Sequence, residues 1–225
     1  MKKLFCILSI FISSLNFAEG LLLVPKNILD VRTGNLVKAN VYIKDGIIIK
    51  IHKDIPLIKD IKRVELKEIT LLPGLMDAHV HLIGNNKLNG YKSMSESTQL
   101  ATLYGAKNAK DTLLAGFTTV RNVGAGEFAD VALRDAIDRN IVMGPTMVVS
   151  GPTLSISGGH GDNNLLPFDS KINEENHNIV DSPWEARKAV RINRKYGANL
   201  IKFTATGGVM SKNTDVNARQ FTLEE

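Results

Sequence analysis

The chain has 225 residues, 44% hydrophobic and 23% charged, with 18 Gly, 7 Pro and one Cys, which excludes disordered, collagenous and disulfide-stapled classes. Its net charge of +5 could suit nucleic acid, but the lysines and arginines are scattered. The densest group, Arg187, Lys188, Arg191, Arg194 and Lys195, has the spacing of the solvated side of an amphipathic helix, so no nucleic-acid partner is expected.

Residues 1–18 read as a secretory signal peptide. Lys2 and Lys3 form a charged start, Leu4 to Phe17 an apolar stretch too short to span a membrane, and Ala18 a small residue for cleavage. Cleavage would remove Cys6 and leave no membrane span, giving a secreted or periplasmic protein.

Residues 19–71 are rich in β-branched residues. Leu21 to Val24, Val41 to Lys44, Ile47 to Ile51 and Arg63 to Leu66 are strand-like, and Lys44-Asp45-Gly46 marks a hairpin. A small antiparallel sheet is expected there. His52 stands alone and reads as a surface residue.

From Leu72 the pattern changes to strands alternating with helices. The expected strands are Leu75 to Leu82, Phe117 to Val120, Thr146 to Ser150 and Leu200 to Thr204. The expected helices are Ser97 to Ala115, closed by Gly116, then Glu127 to Arg139, then a helix ending at Gly197 that opens on Ser182, Pro183 and Glu185 as a capping box. On the first helix, Leu100, Leu103, Ala106, Leu113 and Leu114 are its apolar positions. Strands joined by helices imply parallel βα units, which suit an open doubly wound sheet or a closed barrel equally well. No glycine-rich dinucleotide fingerprint follows the first strand.

His79 and His81 stand two apart at the end of an apolar strand, so Asp77 and both histidines share a face. Two imidazoles at that spacing can share a borderline metal such as zinc, or merely cap the strand. The C-terminal ends of parallel strands are where such folds keep their sites. Lys202 lies mid-strand in Leu200-Ile201-Lys202-Phe203-Thr204, where a buried ammonium tends to lose its proton. The neutral amine can add carbon dioxide as a carbamate, or the lysine can pair with a carboxylate.

Leu72-Pro73-Gly74-Leu75-Met76-Asp77-Ala78-His79-Val80-His81-Leu82 resembles the first-strand signature of the amidohydrolase superfamily. Ile201-Lys202 with Thr206-Gly207-Gly208 is similar to the segment carrying that family's carboxylated lysine. Ser150-Gly151-Pro152 through Gly158-Gly159-His160-Gly161-Asp162 resembles the imidazolonepropionase-like branch, which includes Xaa-Pro dipeptidases. The resemblance implies an α/β fold: a small β-sandwich region at 19–71, then the first half, about four βα units, of a TIM-like metal-hydrolase barrel at 72–225. It implies that His79 and His81 hold one metal, that carboxylated Lys202 bridges it to a second, and that His160 contacts the substrate near the scissile carbonyl. A divalent metal, zinc by preference, would be the cofactor. The reaction would be attack of a bridging hydroxide on an amide carbonyl, with a dipeptide or other small molecule as substrate. A cyclic-amide hydrolase, a non-catalytic fragment and a metal-free exported binding protein are the alternatives.

His177 reads as solvent-exposed. Arg121-Asn122 stands where relatives often have Arg-Asp. A whole barrel needs about 250 residues, so the chain reads as truncated, inactive by itself and exposed at an open sheet edge.

Overall fold

The computed structural model describes residues 20–56, 61–88, 90–167, 169, 177–209 and 211–225. The segment read as a signal peptide, Cys6 included, lies outside the described residues. Contacts divide the chain into two compact units, Met1–Pro73 and Gly74–Glu225.

The first unit is one curled five-stranded sheet: β1 (Leu21–Asp30), β2 (Asn35–Val37), β3 (Asn40–Lys44), β4 (Ile47–His52) and β5 (Lys62–Leu71). The expected hairpin joins β3 and β4, with Asp45 and Gly46 both at positive φ, the backbone such a two-residue turn demands. The sheet is not wholly antiparallel. β1 pairs antiparallel with β2 and β3 but parallel with β5, from Leu21↔Lys62 to Ile28↔Leu71. Strand periodicity carries no information on direction; the long return between β4 and β5 permits the parallel pairing. No second sheet layer of a sandwich is present among the described residues of this unit. His52 is exposed, as expected, and accepts from the Asp54 backbone N–H at 3.0 Å.

The second unit is built on a parallel three-stranded sheet in the order β6 (Leu75–Val80), β7 (Phe117–Asn122), β8 (Thr146–Val149). Helix α1 (Thr98–Leu114) connects β6 to β7, α2 (Ala129–Asp138) connects β7 to β8, and α3 (Pro183–Lys195) follows the long loop after β8. Helices crossing between parallel strands bury the apolar sheet. Leu82, Ala109, Val120, Val131, Leu133, Met147 and Val149 form its core, with a second cluster of Leu154, Val180, Ala186 and Ala189 under α3.

Helix α1 packs inward through its small residues: Leu103 and Leu114 are about 70% exposed, whereas Gly105 and Ala109 are buried and Ala106 packs against the core. A Cβ on Gly105 would lie 2.7 Å from Ile83 Cδ1, so small residues set the approach of this helix. The second helix starts at Ala129 rather than Glu127, because Glu127 and Phe128 both have positive φ. Finally, Leu200 to Thr204 does not join the sheet as a fourth strand. It runs extended beside Leu154, with Leu154 N–H donating to the Lys202 carbonyl at 2.9 Å and Thr204 N–H to the Leu154 carbonyl at 3.1 Å, as an isolated bridge. Four residues separate the end of β8 from Leu154, and Gly151 at positive φ turns the chain there.

Helix α3 begins as its sequence demands. Ser182 accepts from Glu185 N–H at 3.3 Å, Glu185 Oε2 accepts from Asp181 N–H at 2.8 Å, and Gly197 beyond the end has positive φ. Its buried Asn193 donates to the carbonyls of Pro152 and Ser150, at 2.8 and 3.3 Å, tying the helix to the turn after β8. Among the described residues no helix is long and apolar enough to cross a membrane.

Candidate functional site

Strand β6 delivers both histidines. His79 lies within it, its N–H donating to Asp77 Oδ1 at 2.9 Å, and His81 follows its last residue. Their rings face edge to face, centroids 5.3 Å apart and planes at 65°. Both residues are open to solvent.

A buried network fixes the backbone on either side of His81. Asn122, at the end of β7, accepts from the Leu82 N–H at 2.8 Å and donates to the Gly124 carbonyl at 3.2 Å and to Asp130 Oδ2 at 3.3 Å. Asp130 also accepts from the N–H groups of Gly151, at 3.0 Å, and Val131, at 2.9 Å. This joins the ends of β6, β7 and β8 through two side chains that are fully withdrawn from solvent. Burial pushes the Asp130 carboxyl above its ordinary value, and its hydrogen bonds oppose that rise.

The Gly124 carbonyl also accepts a hydrogen bond from the His81 ring. Whichever ring nitrogen donates to it carries the proton, and the other keeps its lone pair. Carbonyl support of this kind orients metal-binding imidazoles. Gly124 itself has φ 142°, and a Cβ there would lie 2.5 Å from Thr153 Oγ1, so the position requires glycine.

Desolvation pushes the His81 pKa below its ordinary value, and His79, Lys202 and His160 in their charged forms push in the same direction; the Gly124 bond acts against them. At neutral pH His81 is therefore an uncharged ligand-competent imidazole. His79, Lys202 and His160 thus lie within electrostatic reach of His81. Lys202 is half-buried rather than enclosed, because the segment carrying it stands off the sheet.

His160 comes from the long loop between β8 and α3. Its Nδ1 is hydrogen-bonded to Ser211 Oγ. With the Gln220 amide oriented to satisfy its neighbours, its oxygen accepts from His160 N–H at 3.2 Å and its nitrogen donates to the carbonyls of Thr204 and Thr206 at 3.1 and 3.2 Å. His160 and Ser211 line a cavity of 210 Å³ together with Ser93, Met94, Leu165 and Lys212. His177 is exposed, as expected, and stacks on Phe128 with centroids 6.0 Å apart.

Sequence reasoning missed Asp130, Ser211 and Gln220. Asp130 left one usable signal, a carboxylate flanked by Ala129 and Val131 on the helix side that turns inward. Ser211 and Gln220 left none, since their roles depend on loop geometry.

The chemistry of the donors fits part of a divalent-metal set: one imidazole held neutral, a second with its ring centroid 5.3 Å away, and a lysine within electrostatic reach. Among the described residues no group of three or more His, Cys, Asp or Glu side chains could hold a metal by itself.

The Amidohydrolase family profile matches residues 70–225. The ochratoxinase of Aspergillus niger is 33% identical over 171 residues, covering 69% of this chain and 35% of the relative. A crystal structure of a Xaa-Pro dipeptidase with methionine bound in its active site superposes with TM-score 0.79 at 29% identity, over 92% of this chain and 52% of that one. The crystal structure of A. niger ochratoxinase gives TM-score 0.73 at 27% identity, over 92% and 51%. The chain thus spans about half the length of these solved relatives and about a third of the curated one. Members of this family are hydrolases acting on amide bonds and are generally metal-dependent. The chain belongs to the amidohydrolase family.

Proposed function

We propose that the whole protein is a metal-dependent hydrolase of amide bonds in small peptides, with Xaa-Pro dipeptides as the leading substrate class. The observation that carries this reading is the pair of imidazoles, His79 and His81, with ring centroids 5.3 Å apart, His81 held neutral and Lys202 and His160 within its electrostatic reach. The dipeptidase likeness supports the substrate class, and the ochratoxinase likeness supports a bulkier amide as the second candidate.

A bound divalent cation, zinc by preference, supplies Lewis acidity at the amide carbonyl and lowers the pKa of water. His79 and His81 would hold one cation through imidazole nitrogens. Lys202, once its neutral amine has added carbon dioxide and lost a proton, would supply a carbamate as a ligand for a second. His160 would face the scissile carbonyl. Two imidazoles and one carbamate do not fill two coordination spheres, so further ligands and the general base would come from other residues of the whole protein. The half-length coverage of the solved relatives supports reading residues 74–225 as the first part of a larger (β/α) barrel. Residues 1–18, as an export signal, would bring the protein to extracellular or periplasmic peptides.

The test is hydrolysis of a panel of Xaa-Pro dipeptides, other dipeptides and ochratoxin by the whole protein, with and without chelator. Chelator-sensitive cleavage of one class supports the proposal. Absence of hydrolysis across the panel from metal-replete protein overturns it.

A further inference from the structure

Among the described residues three contacts hold His160, and one of them is a hydrogen bond to an imidazole nitrogen. The backbone N–H is held by Gln220. The ring edge bearing Nδ1, Cε1 and Cγ rests on Gly208, where any Cβ would collide with it. Ser211 Oγ then meets Nδ1. The edge bearing Nε2 and Cδ2 is turned away from Gly208, and His160 lines the 210 Å³ cavity.

A neutral imidazole carries one proton, and whichever nitrogen holds it donates while the other accepts. A carbonyl oxygen only accepts. If His160 faces the substrate carbonyl, as the proposed function has it, Nε2 must bear the proton and Nδ1 must accept. The partner at Nδ1 must then be a donor, and a serine hydroxyl can rotate to be one. We propose that Ser211 is a positioning residue: its O–H donates to Nδ1, fixing both the ring rotation and the Nε2–H tautomer of His160. A backbone carbonyl at the same place would force the opposite tautomer, since it could only accept from Nδ1.

The experiment compares the whole protein with its Ser211→Ala and Ser211→Thr variants. The first readout is the pair of ¹⁵N ring shifts of His160, identified by their loss in His160→Asn, and it needs no activity. In the unsubstituted protein the protonated nitrogen is expected to be Nε2, with widely separated shifts; in Ser211→Ala the shifts converge as tautomers mix, and Ser211→Thr restores them. The second readout is kinetic: Ser211→Ala lowers kcat about 10- to 100-fold, the usual effect of removing a supporting partner, with KM little changed and Thr restoring the rate. A proton found on Nδ1, or identical shifts and kcat in Ser211→Ala, overturns the proposal. Inactivity of the unsubstituted protein would count against the proposed function alone, since the shifts still decide the tautomer.

Discussion

Asn122 and Asp130, both fully withdrawn from solvent, meet through a hydrogen bond of 3.3 Å from Asn122 Nδ2 to Asp130 Oδ2. Between them they hold Leu82 N–H, the Gly124 carbonyl and Gly151 N–H, and so the ends of three parallel strands. The Gly124 carbonyl that Asn122 steadies is also the group that orients His81. Asparagine suits this place because it donates and accepts at once; an ionised aspartate could only accept and would face Asp130 with a like charge.

Asn122→Ala is expected to destabilise the protein by about 2–3 kcal/mol, since it leaves the buried Leu82 N–H without its acceptor and takes a donor from the Gly124 carbonyl and from Asp130 Oδ2. The urea midpoint measures it. An unchanged midpoint would show that the network contributes nothing to stability.

Asp130 gives a pH dependence of known sign. Burial raises its native pKa above the ordinary 3.8, so the neutral carboxyl is favoured by folding. Its contribution is complete below pH 3.8 and is lost as the pH rises through the raised native value. The stability of the protein relative to Asp130→Asn should therefore decline with increasing pH across that window. Urea titrations of both proteins at several pH values test this; a difference that grows with pH would contradict it.

His81 has the opposite sign. Its pKa is pushed below 6.5, so its contribution to folding is present above pH 6.5 and lost as the pH falls through the lowered native value. In metal-free protein its ring protons should titrate below 6.5 by NMR. Titration at or above 6.5 would mean that the ring is neither desolvated nor surrounded by positive charge.

Strand β4 pairs only with β3 among the described strands, and its Ile47, Ile48, Ile49 and Ile51 are 50–64% exposed. Apolar edge strands of this kind template aggregation, and a lysine blunts them. The 225-residue chain expressed by itself should scatter light, and Ile49→Lys should reduce the scatter without loss of helical signal. Equal scatter from both would place the association elsewhere.

Much of this was legible in the sequence, and unevenly so. The α3 cap, the β3–β4 turn and the strand placing His79 and His81 follow from local chemistry that acts over a few residues. The parallel pairing of β1 with β5, the inward turn of Gly105 and Ala109 in α1, and the detachment of Leu200 to Thr204 from the sheet depend on partners distant in sequence. The histidines and Lys202 announce themselves by residue type. Asp130, Ser211 and Gln220 are common residues whose importance lies only in what they touch.

The most direct measurement is the metal content of the purified whole protein, taken beside His79→Ala/His81→Ala and Lys202→Arg, with a ¹³C-labelled carbon dioxide spectrum of each. The account predicts bound divalent metal and a carbamate signal in the unsubstituted protein, loss of metal and hydrolysis in the double variant, and loss of the carbamate signal in Lys202→Arg. Full metal content and full hydrolysis in the histidine variant would contradict it.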